Sequence, residues 1–179
     1  MALSKTQSGI LSGMAAGAGC ALAIVILGAW LNPFLFLPNL SIAARLSTAV
    51  QAALVPAIFL LVSVGRLAKH RFFTPEDIDG AGLSVGTGQA KLLQGLLQNT
   101  LEQLGIAVIA YLAWAVVMPS TWLSVVLLAS FAFGVGRILF FVGYRHGGPS
   151  RALGFTLTFY PSAIMLAVTA GAELWRLAG

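Results

Sequence analysis

Five stretches of this chain each stay apolar for the thickness of a bilayer, and no other feature narrows its fold as far. They run roughly over Gly9–Leu31, Ile42–Ala68, Leu92–Met118, Thr121–Gly143 and Ala152–Trp175. A helix rises ~1.5 Å per residue, so about 20 residues cross ~30 Å of hydrocarbon. A bilayer offers no water to backbone N–H and C=O groups, so each stretch must satisfy them internally, as a helix. The expected fold is all-α, an integral membrane helical bundle. Pro56 and Pro161 lie inside spans, where neighbouring helices absorb a kink. Pro119 suits a tight connection between the third and fourth spans. Charged residues make up 8% of the chain, against about a quarter in soluble domains, which excludes an ordinary soluble protein.

The first stretch invites comparison with a signal peptide. Its n-region carries only Lys5, and the apolar run is long for such a segment. Gly17-Ala18-Gly19-Cys20 hints at a lipoprotein cleavage box, but Gly17 stands where Leu is usual and the run continues to Leu31. A retained helix is expected, with Cys20 as a packing residue. A lone cysteine offers no internal disulfide and no cysteine-based metal site.

Basic residues set the expected orientation. Lys5, Arg66, Lys69, Arg71, Lys91, Arg145 and Arg151 fall on one side of a five-span layout; Arg45 and Arg176 fall on the other. The positive-inside rule makes the first side cytoplasmic, with the N-terminus inside and the C-terminus outside. Trp30, Trp114, Trp122 and Trp175 all lie at the opposite ends and read as one interfacial belt. Topology accounts for the net charge of +5, and nucleic-acid binding need not be invoked. The one sizeable loop, Lys69 to Ala90, is too polar to span and reads as a connector or as a cover over a site. There is no internal repeat and no sign of a second domain, so residues 1–179 read as a single membrane domain.

Polar groups inside apolar runs are the informative ones. Lys91, Gln94, Gln98 and Glu102 are spaced by three, four and four, one helical stripe, with Asn99 on its border. An ionised carboxylate at that depth costs roughly 3 kcal/mol unless paired, so the stripe should face protein or a watery cleft. Arg137 lies inside the fourth span, with Tyr144 seven residues on and Arg151 seven further. Glu102 is the acid available to pair with Arg137. Gln98 and Asn99 alone would read as interhelical glue; ionisable Glu102 and Arg137 read as functional candidates. His146 reads as a solvated loop residue. No metal-ligand spacing, phosphate-cradling glycine motif or nucleophile–base pair is present, and no metal is expected.

"LLQNTLEQ" and "GRILFFVGYRHGGPSRALGF" resemble the MAPEG family, the membrane-associated proteins in eicosanoid and glutathione metabolism, and look closest to its uncharacterised bacterial members. The resemblance covers roughly residues 42–176. It implies a four-helix core, to which the helix near 9–31 is additional, a homotrimer, and glutathione as co-substrate, bound between protomers near the cytoplasmic face of a bacterial inner membrane. By position it implies that Asn99 and Glu102 hold glutathione, that Arg137 binds its carboxylates, that Tyr144 lines the site, and that Arg151 stabilises the thiolate. Gln98 and Lys91 join the binding set as neighbours on the stripe. Arginine suits carboxylates, and a nearby cation lowers a thiol pKa. Two positions depart from the family pattern: Gly95 replaces an arginine four before the Asn, and Phe140 replaces a tyrosine.

Three functions follow. One is a glutathione-dependent transferase or peroxidase taking a lipophilic small molecule from the membrane lipids. A second is a non-catalytic MAPEG-like protein that binds a lipid or a partner, which Gly95 and Phe140 favour. A third is a small transporter or assembly subunit, for which there is no broken-helix pair or inverted repeat.

Overall fold

The computed structural model describes residues 3–80 and 83–179. Five long helices account for most of them: α1 (Lys5–Leu31), α2 (Ile42–Phe73), α3 (Gly88–Val117), α4 (Ser124–Gly143) and α5 (Gly148–Ala178). All five expected spans are helical, and no strand occurs among the described residues. All are long and apolar enough to cross a membrane. Most helices outrun the apolar stretches, whereas α4 starts three residues later, after a 3-10 turn over Ser120–Leu123. α2 continues to Phe73 and α3 starts at Gly88, so the polar loop shrinks to 74–87. The apolar pattern marks where lipid begins, whereas the helix ends where its caps lie.

Those caps are visible side chains. Ser4 and Gln7 form a reciprocal capping box at α1, with Gln7 N to Ser4 Oγ at 3.2 Å and Ser4 N to Gln7 Oε1 at 2.9 Å. The hydroxyls of Ser41 and Thr87 accept from backbone N–H groups in the first turns of α2 and α3. Asn32 ends α1 in the left-handed region at φ 41°, and its amide exchanges two bonds with the backbone of Phe36. Pro56 sits buried in α2 and cannot donate to the carbonyl of Ala52. Ser130 of α4 donates to that carbonyl at 2.7 Å, so a neighbouring helix satisfies the acceptor that the proline frees.

The bundle packs α2 on α3, and α5 between α1 and α4. Its larger core gathers Tyr111 and Trp114 of α3 with Val125, Val126, Ala129 and Phe133 of α4. Trp114 departs from the interfacial-belt expectation. It is fully buried, and its Nε1 donates to the carbonyl of Trp122 at 3.0 Å. Trp30 and Trp175 are each 83% exposed, as belt residues should be.

Glycines set the helix spacing. A Cβ on Gly17 of α1 would lie 2.0 Å from Thr156 Oγ1, and one on Gly13 would lie 2.8 Å from Ala152 Cβ. With Gly9 facing Pro149, the Gly9-x3-Gly13-x3-Gly17 ladder lets α1 lie directly on α5. The small-residue spacing of that ladder is a readable signal of close helix packing in membranes, one that charge and polarity patterns do not carry.

Candidate functional site

A cavity of about 400 Å³ opens where α1, α3, α4 and α5 meet. Asn99 lines it from α3 and Arg151 from α5, with Tyr144 in the short turn that links α4 to α5. The Arg151 guanidinium carbon lies 4.6 Å from the centre of the Tyr144 ring, a cation–π contact. Among the described residues no carboxylate pairs with Arg151. The rest of the wall is mainly apolar, with Phe140, Phe155 and Tyr160 on the α4–α5 side and Ile10 and Met14 on α1. Three of the expected site residues thus converge: Asn99, Tyr144 and Arg151.

Arg137 does not line this cavity. It is completely buried within the chain, so it does not reach the cavity surface where it was expected. Its guanidinium donates to Asn99 Oδ1 at 2.9 Å, to Thr100 Oγ1 at 3.4 Å and to Thr158 Oγ1 at 2.8 Å. It also lies over the Phe140 ring at 4.4 Å and near that of Phe133 at 5.6 Å. The expected Glu102–Arg137 pair does not form. Arg137 reaches Asn99 and Thr100; Glu102 lies about 160° round the helix from Thr100 and about 60° from Asn99, and it is exposed and bonded to Gln98 instead. Because Arg137 supplies only donors, the Asn99 atom facing it must be the oxygen. The Asn99 NH₂ is thereby held at the other end of the amide.

The polar stripe of α3 faces outward. Lys91, Gln98 and Glu102 are exposed, and Gln98 Nε2 donates to Glu102 Oε1 at 2.9 Å. The chain by itself does not cover them, so they fall apart from the cavity that holds Asn99. Lys91 instead borders a second, smaller cavity of about 200 Å³ at the loop, with Arg71 and Gln94. There Arg71 donates to Gln94 Oε1 at 3.2 Å. His146 is exposed, in line with a solvated loop residue. Among the described residues no cluster of three potential metal ligands occurs.

Both departures from the family pattern have local causes. A Cβ at Gly95 would lie 2.5 Å from the Tyr144 hydroxyl, so the missing side chain makes room for that tyrosine against α3. Phe140 gives its ring face to the Arg137 guanidinium, which needs no hydroxyl. Neither cause is readable from spacing, since each depends on a partner from another helix.

The loop between α2 and α3, which lines the second cavity, is held by Asp77, which is almost fully buried. Thr87 donates its hydroxyl to Asp77 Oδ2 at 2.6 Å and its N–H to Oδ1 at 2.8 Å, and His70 Nε2 lies 2.8 Å from Oδ2. The Thr87 hydroxyl above all, then the Thr87 N–H and His70, hold this carboxyl below the usual carboxylate range. A depressed folded pKa stabilises the loop above the unfolded value, about 4, and the stabilisation is lost as pH falls through the folded value. Protease cleavage within 74–87 is expected to rise below about pH 4 in the wild type. Asp77→Asn should be cleaved faster at neutral pH and show no such rise. An Asn variant as resistant as wild type would remove Asp77 from this role.

The family model for the MAPEG family matches residues 44–171, most of α2 through α5. The chain belongs to the MAPEG family. The match begins after α1 and spans the helices that carry Asn99, Arg137, Tyr144 and Arg151, so the cavity is built largely from the MAPEG core. No curated protein and no solved structure matches the chain. Its five apolar helices and its family make it an integral membrane protein.

Proposed function

We propose that this MAPEG protein is a glutathione-dependent transferase that conjugates lipophilic electrophiles in the bilayer. The observation that carries the reading is Arg151: a cation on the wall of a mostly apolar cavity, stacked on Tyr144 and lacking a carboxylate partner. Such a site favours an anion with an apolar neighbour, which describes a thiolate beside its acceptor. Near a cation a thiol ionises at lower pH. The Asn99 NH₂, held by Arg137, is available to a carbonyl or carboxylate of the tripeptide.

With a conjugated enal as acceptor, the thiolate sulfur bonds to the β-carbon. The C=C π pair moves toward the carbonyl oxygen, and the resulting enolate takes a proton from water. With a lipid hydroperoxide, the thiolate attacks the terminal oxygen and the O–O bond breaks. The alkoxide leaves and takes a proton from water to become the alcohol, and a second glutathione turns the sulfenic acid into disulfide and water. Gln98 and Glu102 lie outside the cavity, and a neighbouring copy in a homotrimer would bring them against glutathione, with Glu102 taking its ammonium. The basic loops favour a cytoplasmic face for the site, in a bacterial inner membrane.

Glutathione is expected to bind the detergent-solubilised protein, with a thiolate absorbance that grows as pH is raised. Glu102→Gln should weaken binding about ten- to a hundredfold, the loss of one charged hydrogen bond. Arg151→Ala should leave binding closer to normal and move the thiolate transition to higher pH. Absence of any thiolate signal in the wild type would end the catalytic reading. The apolar lining favours one alternative, a non-catalytic lipid-binding member; binding of an apolar ligand without glutathione would select it.

A further inference from the structure

We propose that α1 is a specificity-determining wall, one that sets how long an apolar chain the electrophile can carry. This rests on the transferase reading above. The family match starts at residue 44, so α1 lies outside the part of the chain it covers. Yet α1 forms one side of the cavity.

The lining is divided by chemistry. Its polar side chains, Asn99, Tyr144, Arg151, Thr156 and Tyr160, all come from the matched part of the chain, while α1 supplies only the apolar Ile10 and Met14. The reacting sulfur belongs at the Arg151 side, which leaves the α1 side for the acceptor's hydrocarbon. Cavities that take small molecules span ~300–1,000 Å³, and about 400 Å³ is near the lower end. Space is therefore limiting, and the position of α1 decides how much there is. That position is fixed: the glycine ladder sets α1 against α5, and Thr156 Oγ1 lies 3.3 Å from the carbonyl oxygen of Gly13. Met14 is 39% exposed, so it stands at the rim of the cavity, where a chain arriving from lipid would pass.

The test uses the full-length protein in detergent and conjugated enals from propenal to decenal. Met14→Trp should lower kcat/KM for decenal relative to propenal by about tenfold or more, the scale of a few methylenes excluded from an apolar pocket. Met14→Ala should move the ratio the other way. Leu11→Trp, on the outward face of the same helix, should leave the ratio unchanged. In parallel, calorimetry of decanol and butanol without glutathione should show Met14→Trp weakening decanol selectively. Equal losses for both enals, or a Leu11→Trp effect as large as that of Met14→Trp, would overturn the proposal, as would decanol binding that ignores Met14. A wild type that forms no adduct, yet binds decanol in a Met14-dependent way, would sink the transferase reading and leave the wall standing. Tight binding of decanoate that needs Arg151, with none of decanol, would overturn the neutral-electrophile occupant.

Discussion

Gly154→Ala is expected to destabilise the protein by about 3 kcal/mol, the upper end for overpacking a closed core. A Cβ on Gly154 of α5 would lie 2.4 Å from the backbone nitrogen of Phe140 and 2.8 Å from the carbonyl oxygen of Gly136, both in α4. These are backbone atoms, so no rotamer change relieves the clash. The two helices must separate. Gly136 and Gly143 line the same seam, and a Cβ on Gly143 would lie 2.3 Å from the carbonyl oxygen of Ser150. Separation would also pull Thr158, one turn beyond Gly154, away from Arg137. Gly171→Ala is the control, because nothing lies within 4 Å of its Cβ position; it should be neutral or stabilising by up to about 1 kcal/mol. Thermal unfolding in detergent measures both. A Gly154→Ala protein as stable as wild type would mean that the α4–α5 seam is not close-packed.

The second large effect concerns Arg137, where stability and ligand binding should part company. Arg137→Met removes a buried cation that has no carboxylate partner among the described residues, and it keeps much of the volume. Replacing buried charge by apolar groups is often neutral or stabilising. The two threonines tolerate the loss. Thr100 donates to the carbonyl of Leu96 and Thr158 to that of Phe155, each at 2.7 Å, so only acceptor capacity goes unused. Asn99 is different, because Arg137 is what fixes its amide orientation. Arg137→Met should therefore stay folded while glutathione affinity falls about tenfold or more, the scale of a hydrogen bond to a charged ligand. Asn99→Ala should lose a similar amount, and the double variant should lose little beyond either single one. Strict additivity would show that the two residues act separately. An unfolded Arg137→Met protein would make the arginine a structural element only.

The spans were legible because lipid imposes one solution on a long apolar run. Asn99, Tyr144 and Arg151 were legible as a group through family likeness, and the fold brings them to one cavity. Arg137 was legible as a charge within a span but not in its contacts. A sequence shows that a charge lies inside a span, whereas its seal of Phe133, Phe140, Thr100 and Thr158 comes from three helices. The Glu102 pairing failed for a related reason. Availability in the sequence says nothing about which side of α3 faces the bundle. Trp114 shows the same limit, since its position near a span end fits an interfacial residue and a core residue equally. The Asp77 network escaped because a loop rich in glycine and acids looks like solvated connector until His70 and Thr87 close on it.

The outward side of α3 has a consequence for the life of the protein before it works. A freshly inserted copy presents Glu102, roughly 21 Å from the start of a 30-residue helix, to whatever surrounds it. Against hydrocarbon that carboxylate costs roughly 3 kcal/mol, and the bond from Gln98 offsets only part of the cost. In the homotrimer proposed above a neighbouring copy would cover this carboxylate, so a solitary copy would bear the cost alone. On that proposal, survival in the membrane should rise steeply with the number of copies made at once, since association follows concentration, and copies left isolated should be the first cleared by membrane proteases.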